Sequence, residues 1–347
     1  MSVLPSMAPW QQRSFAQAVA AQQAGHLGHA LLVTGPAGIG KRLVAEHLAQ
    51  RLLCQQPTPD GACEHCRSCR MLQARAQRDP VESRPDGTPS HPWGHPNHPD
   101  LLLVGHAWND KSSPPRLRTE IVIDQVRALS EKLSLTPQFG DTQVAILDPA
   151  DAVNWNAFNA LLKTLEEPRP GRHLLLLANA PSRLPATIRS RCQELPLRLP
   201  PRAEALQWLH ARGHPGARAE EALATAKGHP ALAVAWLEGD GMALRGAVEA
   251  DLKALEGGQA APSELARRWT EDGRAAERLE HVAELALVRA GSGLTDAAAT
   301  RRLAARFDAA NRARALLRST VRADLAVIEA LLGWRGGSIP APTRRER

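Results

Sequence analysis

"HALLVTGPAGIGKRLVAEHLAQRLLC", residues 29–54, holds a short apolar strand over Leu31–Thr34, a glycine-rich turn and an amphipathic helix beginning near Lys41. Strand, turn and helix in that order form a phosphate-binding loop, with Gly35, Gly38 and Gly40 leaving room for backbone N–H groups to face an anion. The pattern normally ends in Lys followed by Ser or Thr, whose hydroxyl holds Mg²⁺. Here Lys41 is followed by Arg42. The loop is a degenerate one.

Two further segments extend the same fold. "TQVAILDPADAVN" (142–154) predicts a buried strand over Val144–Leu147 that ends in Asp148. "NAFNALLKTLEEP" (156–168) predicts a helix stopped by Pro168, and "RHLLLLANAP" (172–181) a third buried strand. Continuous apolar strands alternating with helices imply a parallel sheet covered on both faces. Ligands on such sheets lie at the carboxyl ends of the strands, where Gly35 and Asp148 fall. Asp148 is therefore placed as a Walker-B carboxylate. A hydrolase of this type follows it with Glu to orient water, but Pro149 stands there and Asp151 is displaced. Two catalytic parts are missing, so the fold is expected without the hydrolysis. Backbone amides do not depend on Arg42, so weak nucleotide binding at Gly35–Lys41 stays open.

Beyond "LPLRLPPRAEA" (195–205) only helical periodicity remains, from Ala203 to Leu332. The expected organisation is an α/β domain over 1–196, a small helical domain over 197–239, a helical bundle over 240–335 and a flexible tail over 336–347. Residues 77–118, with "RPDGTPSHPWGHPNHPD" and "NDKSSPPRLR", are rich in Pro, Gly and polar residues and predict an irregular insertion. His91, His95 and His98 in it read as solvated loop residues. No long-period repeat is found.

Cys54, Cys63, Cys66 and Cys69 form C-x8-C-x2-C-x2-C directly after the first helix. Four thiolates close a tetrahedral Zn²⁺ site with no open position, which makes it structural. At 347 residues the chain has several domains, and its net charge of +7 and pI near 9.6 fit equally an acidic partner such as DNA and a general enrichment in Arg. With no Tyr and four Phe, stacking on bases is disfavoured and phosphate contacts are favoured. No apolar run approaches a membrane span and no signal peptide is evident, so a cytoplasmic location is expected.

These features together resemble the delta-prime branch of the bacterial DNA polymerase III clamp loader, within the AAA+ family. The resemblance is carried by "HALLVTGPAGIGK", the four-cysteine module, "NALLKTLEEP" (Asn159–Pro168) and "SRC" (Ser190–Cys192), over roughly residues 26–200. The helical remainder is similar in architecture only, a lid followed by a collar. The ATP-hydrolysing motor branch, gamma or tau, shares the cysteine module and both later motifs. It keeps a hydroxyl where Arg42 stands, an acidic residue where Pro149 stands, and a sensor Arg where Ala231 stands. Those three losses favour the non-hydrolysing stator. The resemblance implies assembly with motor and delta subunits, action on a sliding clamp and primed DNA, and Arg191 as an arginine finger reaching a neighbour's ATP. A motor subunit and a zinc-dependent DNA-binding regulator are the alternatives.

Overall fold

The computed structural model of the chain describes residues 4–84, 88–109, 113, 116–291, 297–317 and 321–335. The expected tail at 336–347 lies outside them. The described residues separate into two compact units. The first runs to Trp208 and includes Gly228–Ala231; the second holds Leu209–Lys227 and the chain from Leu232 onward.

The first unit is built on strands β1 (Ala30–Thr34), β2 (Arg75–Ala76), β3 (His95–Pro96), β4 (Leu101–Val104), β5 (Trp108–Asn109), β6 (Arg116–Leu117), β7 (Gln143–Leu147), β8 (Arg172–Ala178) and β9 (Gln193–Pro196). Five of them form one parallel sheet in the order β4-β7-β8-β1-β9. Its helices are α1 (Pro9–Gln23), α2 (Lys41–Leu53), α3 (Arg67–Gln73), α4 (Ile123–Ser134), α5 (Trp155–Glu166) and α6 (Ala186–Arg189), with the first part of α7 (Arg202–Ala211). Successive strand residues enter opposite cores, as a pleated sheet requires. Leu31, Val33, Val144, Ile146, Leu175 and Leu177 pack with α1 and α2. Ala30, Leu32, Ala145, Leu147, Leu174 and Leu176 pack with α4 and α5. The expectation of a parallel sheet covered on both faces is met.

The insertion requires a correction. It is not irregular throughout, because Leu101–Val104 within it is β4, the edge strand of the main sheet, paired in parallel with β7 from Leu101↔Val144 to Val104↔Leu147. Asp100, fully buried, anchors that strand by accepting from the backbone N–H groups of Gln138 (2.9 Å) and Phe139 (2.7 Å). Two short antiparallel pairs, β2 with β3 and β5 with β6, flank it.

The second unit is helical: the end of α7, α8 (Ala217–Thr225), α9 (Pro230–Glu238) from Leu232 onward, α10 (Gly241–Glu256), α11 (Pro262–Glu271), α12 (Ala275–Gly291), α13 (Ala297–Leu316) and α14 (Ala323–Arg335). Trp269 and Trp334 fill its core among Leu252, Leu279 and Leu331. The guanidiniums of Arg289 and Arg306 lie over the Trp334 ring, at 5.2 and 4.7 Å from its centroid.

A sealed phosphate loop and a four-cysteine cluster

Strands β1, β7 and β8 are neighbours, so their carboxyl ends bring Gly35, Asp148 and Asn179 to one edge of the sheet. The loop between β1 and α2 turns on glycines with positive φ. At Gly35 a Cβ would collide with the carbonyl oxygen of Leu197, and at Gly40, the N-cap of α2, with the Gln11 side chain. Trp10 Nε1 and Gln11 Nε2, both from α1, donate to the carbonyl of Ile39 at 3.2 and 2.9 Å and hold the loop from outside.

Lys41 does not point into an open site. Its Nζ donates to the carbonyls of Gly35 and Pro36, both at 2.7 Å, and to Asn179 Oδ1 at 2.6 Å. An ammonium has three donors, and all three are used. Burial lowers its pKa to about 8, which leaves it mostly protonated at neutral pH. His229 Nε2 lies 2.8 Å from the carbonyl of Ala37, so it is the donor, and its ring covers Gly38.

Arg42 is buried, 7% exposed, at the centre of a charged network. Its Nε donates to Glu46 at 2.6 Å and its Nη1 approaches Asp148 Oδ2 at 3.4 Å. Burial works against its charge, but Glu46 and Asp148 more than offset this and its pKa is raised. Arg84, from the insertion, donates to the same Oδ2 at 2.9 Å, and Arg75 donates to Glu46 at 2.6 Å. Two arginines therefore meet the carboxylate at which a Walker-B metal would be expected. Asp151 is elsewhere employed, accepting from the backbone N–H of Asn179 at 3.1 Å.

The three histidines are corrected from solvated loop to interior. His91 is 2% exposed, His98 is 3%, and the His91 and His95 rings lie 4.0 Å apart. Their Nε2 atoms both face Glu82 Oε2, at 3.0 and 3.2 Å. The trio has the composition of a metal site, yet Arg42 opposes one. Arg42 Nη2 lies 2.8 Å from His91 Nδ1 and can only donate, so Nδ1 holds a lone pair and the neutral ring carries its proton on Nε2. Ligation through the Nε2 that faces Glu82 needs the reverse arrangement, with Nε2 bare and Nδ1–H donating. His98 joins the insertion to the end of α2: it accepts from the Asp100 N–H at Nδ1, and its Nε2 meets Ser68 Oγ at 2.8 Å, which donates to Leu53 O.

Cys54, Cys63, Cys66 and Cys69 are brought together as the spacing predicts, with all four sulfurs within 4.8 Å of one another. Cys54–Cys66 and Cys63–Cys69 are each 3.9 Å apart, and all four are free thiols. Four sulfurs about 2.3 Å from a tetrahedral Zn²⁺ stand about 3.8 Å apart, so this donor set fits the ion. Backbone N–H groups of Cys63, Cys66 and Cys69 point at the sulfurs of Cys54, Cys63 and Cys66, at 3.3, 3.4 and 3.4 Å. They would offset thiolate charge, the outer support that metal ligands need.

Arg191 lies on the surface of the same unit, its side chain 38% exposed. Its Nη2 pairs with Glu166 at 2.8 Å and its Nη1 donates to the Thr187 carbonyl at 3.0 Å. The two motifs "NALLKTLEEP" and "SRC" thus meet through this pair. Ser190 and Cys192 flank Arg191 at the end of α6, with Ser190 Oγ bonded to Thr187 O at 3.2 Å. Residue spacing did not foretell Arg84, His91 or His229 at the loop. Asn179, polar at the end of an apolar strand, carried a legible signal.

A family model described as DNA polymerase III, delta subunit, matches residues 10–201. DNA polymerase III subunit delta' of Pseudomonas aeruginosa is 40% identical over 265 residues, 75% of this chain and 70% of that one. The Escherichia coli K12 protein of the same name is 34% identical over 236 residues, 67% of this chain and 61% of the relative. DNA polymerase III subunit tau of Bacillus subtilis is 28% identical over 165 residues, 48% of this chain and 24% of that protein.

Proposed function

The chain belongs to the DNA polymerase III delta-prime family, and from that membership we propose that it serves as the non-hydrolysing stator of a clamp loader, assembling with motor and delta subunits to place a sliding clamp on primed DNA. The observation that carries the non-hydrolysing part is the pairing of Asp148 with both Arg42 and Arg84. A carboxylate neutralised by two guanidiniums has little attraction left for Mg²⁺, and the three Lys41 donors are held by Gly35, Pro36 and Asn179. Arg191, exposed and charged, supplies the finger to the ATP site of the adjacent motor. The α/β part over 1–196 is the AAA+ domain, the helices over 197–239 are the lid, and those over 240–335 are the assembly collar. The motor alternative is disfavoured by the sealed loop. Zinc held by the four cysteines is structural and takes no part in turnover.

The test is reconstitution. Mixed with motor and delta subunits, the purified chain should join one complex whose ATPase is stimulated by primed DNA. Alone, it should show no steady ATP turnover above that of its Lys41→Ala variant. Turnover by the isolated chain that Lys41→Ala abolishes would assign it to the motor class instead.

A further inference from the structure

We propose that the insertion is a counter-ion arm: it carries Arg84 to Asp148 and His91 to Arg42, so that exclusion of a metal–nucleotide complex rests on the arm as well as on Arg42. This deepens the non-hydrolysing reading above and depends on it for its setting. It gives a role to the part of the insertion that precedes β4, which contributes no strand to the main sheet.

The arm is built to hold that position. Arg75 in β2, just before it, is tied to Glu46 of α2 at 2.6 Å. Beyond it the chain folds back on itself, with Ser90 N donating to Glu82 O at 2.8 Å and Arg84 N to Thr88 O at 2.7 Å. Gln77 Nε2 donates to the His91 carbonyl at 3.0 Å, and Arg78 pairs with Glu82 at 2.9 Å. The doubled chain brings Arg84 and His91 to the same side of α2. There Arg84 lies closer to Asp148 Oδ2 (2.9 Å) than Arg42 does (3.4 Å), so the arm supplies the shorter of the two contacts. Mg²⁺ does not fit this carboxylate. A divalent ion needs the carboxylate oxygen at about 2.0–2.1 Å, and a guanidinium already held on that oxygen repels it.

Removing Arg42 alone leaves the shorter contact in place. Restoring the loop's hydroxyl with Arg42→Thr is therefore insufficient, since Arg84 stays on Asp148. Removing both frees the carboxylate. Lys41 is then the remaining closure, and its partners belong to its own loop and to Asn179, bonds that a bound phosphate can replace. Arg84 is 30% exposed at its side chain, so Arg84→Ala leaves no buried cavity and should fold normally.

The experiment measures binding of a fluorescent ADP to the full chain with Mg²⁺ and with EDTA. Wild type and Arg42→Thr should show no Mg²⁺-dependent binding. Arg42→Thr combined with Arg84→Ala should bind, at least about tenfold more tightly with Mg²⁺ than without, as a recovered metal site implies. Hydrogen exchange over residues 77–84 and 88–95 should quicken in Arg84→Ala alone, which reads the docking of the arm without any nucleotide. If Arg42→Thr alone binds as well as the double variant, Arg84 excludes nothing and the proposal fails. It fails equally if the double variant, folded by circular dichroism, binds nothing, or if exchange over the arm is unchanged. Failure of the wild-type chain to complete a loader is a separate result, which would overturn the family role and leave the binding comparison standing.

Discussion

Arg191→Ala, reconstituted into the loader, is expected to fold and assemble normally yet load clamps about tenfold more slowly or worse at limiting ATP, with a smaller, partial fall in DNA-triggered ATPase. Folding is spared because the side chain is 38% exposed and its partner Glu166 is 48% exposed, and such surface pairs contribute about 0–1 kcal/mol. The functional loss is larger because a finger's donors act on charge that develops on a phosphate in a site shielded from water. A finger is worth about 10³–10⁵ in rate where a single site sets turnover. In the proposed role one ATP site among several receives the finger, so total ATPase is expected to fall only in part and loading, which would draw on all of them, to fall further. Lysine at 191 should not rescue, since a point charge lacks the planar fork that meets two phosphate oxygens at once. Undiminished loading by the alanine variant would reduce Arg191 to a surface residue paired with Glu166.

Cys66→Ser is expected to take bound zinc from about one ion per chain to none, unfold the segment between Cys54 and Cys69, and leave the helical unit intact. Structural zinc contributes on the order of 10–16 kcal/mol to the folding of small zinc modules, and this module has little apolar packing of its own to replace it. Cys54 and Cys69 are buried, but Cys63 and Cys66 are partly exposed, and of α3 only Leu72 joins the first unit's core. Cys66 is also the N-cap of α3, its sulfur accepting from the Cys69 N–H, and since a serine hydroxyl can take over that cap the variant reads the loss of the metal ligand rather than of the cap. Metal analysis of protein purified without chelator checks the stoichiometry, and circular dichroism with thermal melting checks the extent of unfolding. Wild-type protein free of zinc, or full zinc retained by Cys66→Ser, would remove the metal from the account.

The sheet could be read from the chain because its signals are local. Four apolar residues after His29, or four Leu after "R-H", bury a strand on both faces in any arrangement of neighbours, and a Gly-rich turn before Lys41 opens a helix. The cysteine spacing is equally local, since three short loops are enough to bring four sulfurs together. The edge strand Leu101–Val104 was hidden because four apolar residues between proline-rich stretches are too few for a period, and its pairing with β7 is a choice of register made by the rest of the sheet.

By itself, then, the sequence determined the parallel sheet, the phosphate loop with its missing hydroxyl, the four-cysteine cluster and the positions of Asp148 and Arg191. Only the tertiary structure decided what those missing parts were replaced by. Arg84 reaches Asp148 across 64 residues of chain, His91 reaches Arg42 across 49, and Asn179 reaches Lys41 across 138. Such partners share no spacing that a pattern can encode. His91 and His95, among prolines, look like solvated loop until a buried guanidinium and a carboxylate are packed against them. A lone buried charge is costly and is kept only where opposite charge is brought to it, so the identity of each partner is settled by which segments fold over α2, and that is a property of packing.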